Sequence, residues 1–277
     1  MSRRGFALAE LLVALVIAGI IGIALTRLVV SQARFVSVQG GMMQARSGAR
    51  AALNVMAEEL RMVSDSGLLA ATRDSITVRA PYGFGIACGY NAGRTIVGLL
   101  PADSAGYASA SNSGVAWRDS LGNWRYLDAV AVSAGAPTTT CTTQTPAIAV
   151  LSAGSWSAQA IYAQSVAPTI GSPVYLYQKI TYVFAASVDL PGRRALWRAV
   201  PGLSLREELV APFDTSAKFE FLVGSSLAVR ATAPAILDSV YGIRARLVAA
   251  SEQTPAGRAA PMLFDLSTNL VFRNHVQ

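Results

Sequence analysis

From Phe6 to Thr26 the chain runs for twenty-one residues with a single ionisable side chain, Glu10, before Arg27 ends the run. About 20 predominantly apolar residues cross a bilayer as a helix, so the stretch predicts a transmembrane segment over 6–27. Arg3 and Arg4 lie on the short side, and the preference of arginine for the cytoplasmic side predicts a single-pass chain with a cytoplasmic N-terminus and its remainder across the membrane.

Glu10 does not suit a plain anchor. A carboxylate at the centre of a spanning helix costs about 2.5–3.5 kcal/mol on insertion scales, and an intramembrane acid is by default a functional group in need of a partner. A short basic leader, then Gly5-Phe6-Ala7-Leu8-Ala9-Glu10, resembles the class III signal of type IV prepilins and pseudopilins. The resemblance implies that a prepilin peptidase cuts between Gly5 and Phe6, that Phe6 becomes the N-methylated end, and that Glu10 is the assembly acid. Physical chemistry supports that role, because a carboxylate and a neighbouring subunit's amine attract far more strongly in a low-dielectric filament core than in water. The chain departs from the family pattern in having Ala7 where a threonine often sits, and in lacking the helix proline of many major pilins. Two other readings compete. A secretory signal has an apolar core of 7–15 residues and a small-residue cleavage site, whereas this run is longer and ends in Leu25-Thr26-Arg27-Leu28. A simple anchor explains the length but neither Gly5 nor Glu10.

Beyond Arg27 the helix is expected to continue to Val63. Leu53, Met56, Leu60 and Val63 recur at spacings of 3 and 4, a face that should pack on a sheet. Gly40-Gly41 costs about 2 kcal/mol relative to alanines and predicts a bend or local melting. Ser64-Asp65-Ser66-Gly67 supplies the stop, with Gly67 as C-cap. The chain thus divides into a leader (1–5), a transmembrane segment (6–27), an amphipathic continuation (28–66) and a β-rich periplasmic head (67–277). The fold class is α+β and pilin-like: one long N-terminal helix packed on an antiparallel head.

In the head, strands are expected over Ser75–Ala80, Thr95–Leu100, Trp124–Val132, Ala147–Leu151, Val174–Phe184 (a strand pair or one long strand), Ala195–Val200, Lys218–Val223 and Ser239–Ala249. In the last, Tyr241, Ile243, Ala245 and Leu247 share one face against Arg244 and Arg246. Small and polar stretches at 102–114 and 133–146 predict surface loops. Cys88 and Cys141 are the two cysteines. In a chain placed outside the cytoplasm they suggest one disulfide, closing a loop of about 54 residues worth about 4 kcal/mol in the chain-entropy model. The alternative is two buried free thiols. The order Ile180-x-Tyr182-x-Phe184, Leu196-x-Arg198, Glu208-Leu209-Val210, Phe219-x-Phe221, Val240-x-x-Ile243-x-Ala245-x-Leu247 and Val271-Phe272-Arg273-Asn274 is similar to PilW-type minor pilins and J-type pseudopilins.

Catalysis finds little support. His275 is the sole histidine, so no Ser-His-Asp or Cys-His arrangement is available. No metal-ligand spacing or phosphate-cradling loop appears, and Gly83-Phe84-Gly85 lacks a following helix. Glu207 and Glu208 would face opposite sides of a strand. No catalytic residue, cofactor or metal is expected. The net charge of +7 falls to +5 once Arg3 and Arg4 leave with the leader, a balance that permits an anionic partner such as nucleic acid without demanding one. The expected role is a non-catalytic minor pilin or pseudopilin that primes or caps a type IV pilus. The alternatives are a J-type pseudopilin of a type II secretion system, and a filament-borne adhesin or DNA-uptake pilin. The implied partners are the prepilin peptidase, other minor and major pilins or pseudopilins, the inner-membrane assembly platform and the bilayer. The implied location is the inner membrane, then a filament or its tip.

Overall fold

The computed structural model describes residues 8–64, 66–91, 94–99, 111–128, 132–134, 157–162, 168–200 and 206–272. Among the described residues one helix, α1 (Leu8–Leu60), precedes fourteen strands. At 1.5 Å per residue its 53 residues reach about 80 Å. It runs through Gly40-Gly41 without a break in helical structure, so the expected melting does not occur. The reason is packing: a Cβ added at Gly41 would stand 3.1 Å from the Cβ of Ser251, so glycine here admits the head to the helix backbone. The end of the helix also differs from expectation. Turns in which Met62 N–H meets Glu59 C=O at 3.2 Å and Val63 N–H meets Leu60 C=O at 3.2 Å follow Leu60. Ser66, not Gly67, takes the left-handed conformation at φ 58°. Gly67 is small because Val63 and the Ser64 carbonyl lie against it.

The strands are β1 (Leu68–Ala71), β2 (Ser75–Asn91), β3 (Arg94–Leu99), β4 (Gly114–Arg118), β5 (Trp124–Asp128), β6 (Val132–Ala134), β7 (Ser157–Tyr162), β8 (Pro173–Ala186), β9 (Arg194–Ala199), β10 (Arg206–Phe213), β11 (Lys218–Val223), β12 (Ala228–Arg230), β13 (Val240–Ala250) and β14 (Leu263–Val271). All pairs are antiparallel, in the order β12-β11-β13-β10-β9-β8-β2-β3-β7-β6, with β1 on β2, β14 on β13, and the β4–β5 hairpin on β8. The strands expected at 75–80, 95–100, 174–184, 195–200, 218–223 and 239–249 all form, β2 and β8 being longer than expected. The run 124–132 divides between β5 and the first residue of β6, and Gly114 opens a strand where a loop was expected. The expected strand at 147–151 lies outside the described residues.

Two apolar clusters lie along the sheet. The larger packs Met56, Leu60 and Val63 of the helix region against Ile180, Tyr182 and Phe184 of β8, Phe219 and Phe221 of β11, and Ile243, Ala245 and Leu247 of β13. The smaller joins Ala87, Val97, Leu99, Val115, Trp117, Val174 and Leu176. Among the described residues only β2 and β8 contribute to both, which is why these two are so long: a register of eleven paired residues from Ser75↔Val183 to Ile86↔Pro173 carries one sheet from the helix to the distal core.

Candidate assembly site

Gly5 and Phe6, the expected cleavage and methylation positions, lie outside the described residues, as do Cys141 and His275. Glu10 stands in the first turn of α1 and is exposed. Within α1, an 18-residue window reaches a mean hydropathy of 2.5, and the head covers none of it. Leu11, Leu12, Leu15, Val16, Ile20 and Ile21 are all exposed. So much apolar surface is stable in lipid or against other helices, not in water.

Side-chain size changes where the head begins. Every described side chain from residue 10 to 37 is exposed, and the first fully buried helix positions are Ala45, Ala49 and Ala52. A Cβ on Gly48 would stand 3.3 Å from Val210 of β10. Small residues thus let the helix lie close to β10, β13 and β14. Met56, Leu60 and Val63, each fully buried, then fill the wider space near the helix end. Sequence periodicity found these three and missed the small-residue seam. Leu53 is only partly buried.

Polar contacts lock the helix in register. Glu59 receives hydrogen bonds from Arg198 Nη2 at 2.8 Å and Nε at 3.1 Å, and the Tyr182 hydroxyl also donates to it. Burial and the neighbouring Glu59 carboxylate raise the Tyr182 pKa above its ordinary range, so the phenol remains a donor. Past the helix, Ser64 and Tyr126 share a hydrogen bond, and Arg79 Nη1 donates to the Ser66 carbonyl at 2.6 Å. Arg79 also stacks on the Tyr126 ring, 4.4 Å from its centroid, and pairs with Asp128 at 2.9 Å. Lys179 and the Tyr177 hydroxyl reach the same carboxylate. Burial would raise the Asp128 pKa, but the hydrogen bonds from Arg79 and Tyr177 outweigh it and hold the group down to about 2. Gly114 makes this possible, because Tyr177 crosses over it to reach Asp128.

The remaining expected positions serve structure. Cys88 is fully buried on β2. Glu208 accepts from the Ser187 hydroxyl and from Val188 N–H at 2.8 Å, fixing the turn between β8 and β9. Gly83-Phe84-Gly85 lies within β2, where Gly85 admits Val97 of β3. Arg246 is paired with Asp265 at 2.7 Å and Arg244 donates to Asn269 at 3.1 Å, so the arginines of β13 are already engaged by β14.

Residues 1–26 match the family profile of the prokaryotic N-terminal methylation motif. No curated protein and no solved structure matches the chain. The chain therefore carries a type IV pilin-like class III signal on a membrane-anchoring apolar helix, and its α+β architecture is pilin-like.

Proposed function

We propose that this chain is a minor pilin that is cleaved between Gly5 and Phe6, N-methylated at Phe6, and takes part in priming or capping a type IV pilus. One observation carries the reading. The methylation motif opens a helix whose first half is bare, apolar and marked by Glu10, while its second half is fused to a fourteen-stranded head. A bare apolar helix that must leave the bilayer needs equivalent helices around it, and Glu10 supplies the charge that pairs with a neighbour's amine. The breadth of the head favours a tip or priming position over every step of a shaft. Arginine counting does not orient the span, since Arg27 directly follows it and Arg34 lies eight residues beyond Thr26, against Arg3 and Arg4 just before Phe6. A peptidase cut at Gly5 does orient it, by requiring the leader to stay on the cytoplasmic side.

Mass spectrometry of membrane-extracted protein tests this directly. The expected chain begins at N-methylated Phe6, Gly5→Val retains the leader, and the intact mass lies two hydrogens below the reduced value if Cys88 and Cys141 are bridged. Mature protein that still begins at Met1 or Ser2 overturns the pilin reading. Two alkylatable thiols without prior reduction overturn the bridge alone.

A further inference from the structure

Between Glu10 and Glu58 the chain holds four arginines, Arg27, Arg34, Arg46 and Arg50, and no acid. The head first meets the helix inside this stretch, through the turn that joins β13 to β14. The Glu252 N–H meets the Gln44 side-chain oxygen at 3.3 Å, and Gly41 lies beside Ser251. A Cβ on Gly257 would stand 3.5 Å from Nε of Arg34. Pro255 is buried, whereas Gly257, Arg258, Ala259 and Ala260 are exposed. The tip of the turn therefore sets Gly257 against Arg34, with the exposed Arg258 the next residue in the chain.

Distance along the helix decides what this tip faces. Arg27 closes the apolar run, and Arg34 lies seven residues on, about 10 Å along the axis. The headgroup layer is about 5–8 Å deep on each side of the hydrocarbon, so the turn stands within about one Debye length of the lipid phosphates. Leu28, Val29, Val30, Phe35 and Val36 are all exposed around the two arginines, the mixture of apolar and cationic side chains found at a membrane boundary. Glu252 is the one acid among residues 251–262, which leaves the patch positive.

We propose that Arg27, Arg34 and Arg258 form a basic foot that seats the head's membrane-facing edge on anionic phospholipid headgroups. Charge complementarity and continuity with the spanning helix select a lipid surface. The foot fixes the depth and tilt of α1, and so the height at which Glu10 waits for a neighbour's amine. The inference rests on the reading of residues 6–27 as a span.

The test uses the full chain, reconstituted head-outward into vesicles of phosphatidylcholine alone or mixed with phosphatidylglycerol. Trypsin cleavage after Arg258 is read as a ratio to cleavage after Arg230. That exposed site on β12 pairs beside Phe221, level with Ile243, about 26 Å up β13 from the turn. One arginine near an anionic surface is worth about fivefold. The ratio should therefore fall fivefold or more in the anionic vesicles, recover at high salt, and regain about fivefold in Arg34→Gln. An equal ratio in both vesicles would assign the arginines to another partner, such as a neighbouring subunit, and overturn the foot while sparing the span. Protein extracted from the vesicles by alkaline carbonate would overturn the span and the foot together.

Discussion

The two halves of α1 are built for different surroundings, though they share one unbroken backbone. Residues 10–37 put leucine, isoleucine and valine around the whole circumference and bury none of them. Residues 41–52 put glycine and alanine on the face toward the sheet, while Arg46 stays exposed at its edge, 5.4 Å from the Phe264 ring of β14. Large apolar side chains on every side suit a fluid solvent of lipid tails or a ring of identical helices, where no single face is special. A small-residue seam suits one fixed partner, because backbones that approach closely tolerate only one register. The bare half is therefore made for exchangeable neighbours and the packed half for a permanent one.

Substitutions of matched chemistry in the two halves sharpen this contrast. Met56→Ala empties a fully buried site and should cost the head about 3 kcal/mol, or roughly 6–12 °C in melting temperature for a head of this size. Leu12→Ala, a deletion of similar size in the bare half, should move the same transition by less than about 0.5 kcal/mol. Next in size is overpacking of the seam. Ala49→Leu should cost about 1–3 kcal/mol, since the helix must lift from β10 and β13, whereas Ala18→Leu should be silent. Thermal unfolding of the full chain in detergent measures all four variants. Equal effects in the two halves would mean that the seam is no fixed contact.

A weaker effect marks the junction where the packed half ends. Asp128 is held down to about 2 in the folded chain, below the ordinary aspartate value of about 3.9. Its ion pairs thus stabilise the head fully above about pH 4, and that contribution is lost as pH falls from there toward 2. The carboxylate is partly exposed, so the loss should stay below about 1 kcal/mol. Asp128→Asn should lower the melting temperature slightly at pH 7 and flatten its fall between pH 4 and 2. A variant whose acid profile parallels the wild type would remove Asp128 from the junction.

What the sequence reveals about each half follows from the physics that builds it. The span is legible because twenty-one residues with one charge have few other uses. Strands β8, β11 and β13 are legible because one face is buried and the alternation survives. The seam is not, since Ala45, Ala49 and Ala52 carry no periodic contrast among so many alanines, and Gly41 reads as a helix breaker when it is a point of close approach. β4 hides for another reason: Gly114 is small because Tyr177 crosses above it, a fact stored some sixty residues away. β2 reads as ending at Ala80 because Pro81, Gly83 and Gly85 follow, yet a register shift between Pro81 and Gly83 absorbs them and the strand continues to Asn91. The Arg79–Asp128–Tyr177 junction joins three strands and has no local signature.

The smallest effect on folding belongs to the residue expected to matter most for assembly. Glu10 lies about 50 Å along the helix from the nearest fully buried position, Ala45, so Glu10→Leu should leave the head's melting temperature unchanged. If α1 only tethers the head, the substitution should also leave its interactions intact or improve insertion, because it removes an intramembrane polar group. A filament subunit should respond in the opposite way. The neighbour's amine would lose its counter-charge in an apolar core, where breaking one side of a buried pair costs about 3–5 kcal/mol. Even half of that is more than a tenfold change in an association constant. Pull-down of partner pilins at matched membrane levels should therefore drop by at least tenfold for Glu10→Leu, with processing and head stability at wild-type values. Equal recovery of partners would reduce the bare half to an anchor, and exchangeable neighbours would then mean lipids alone.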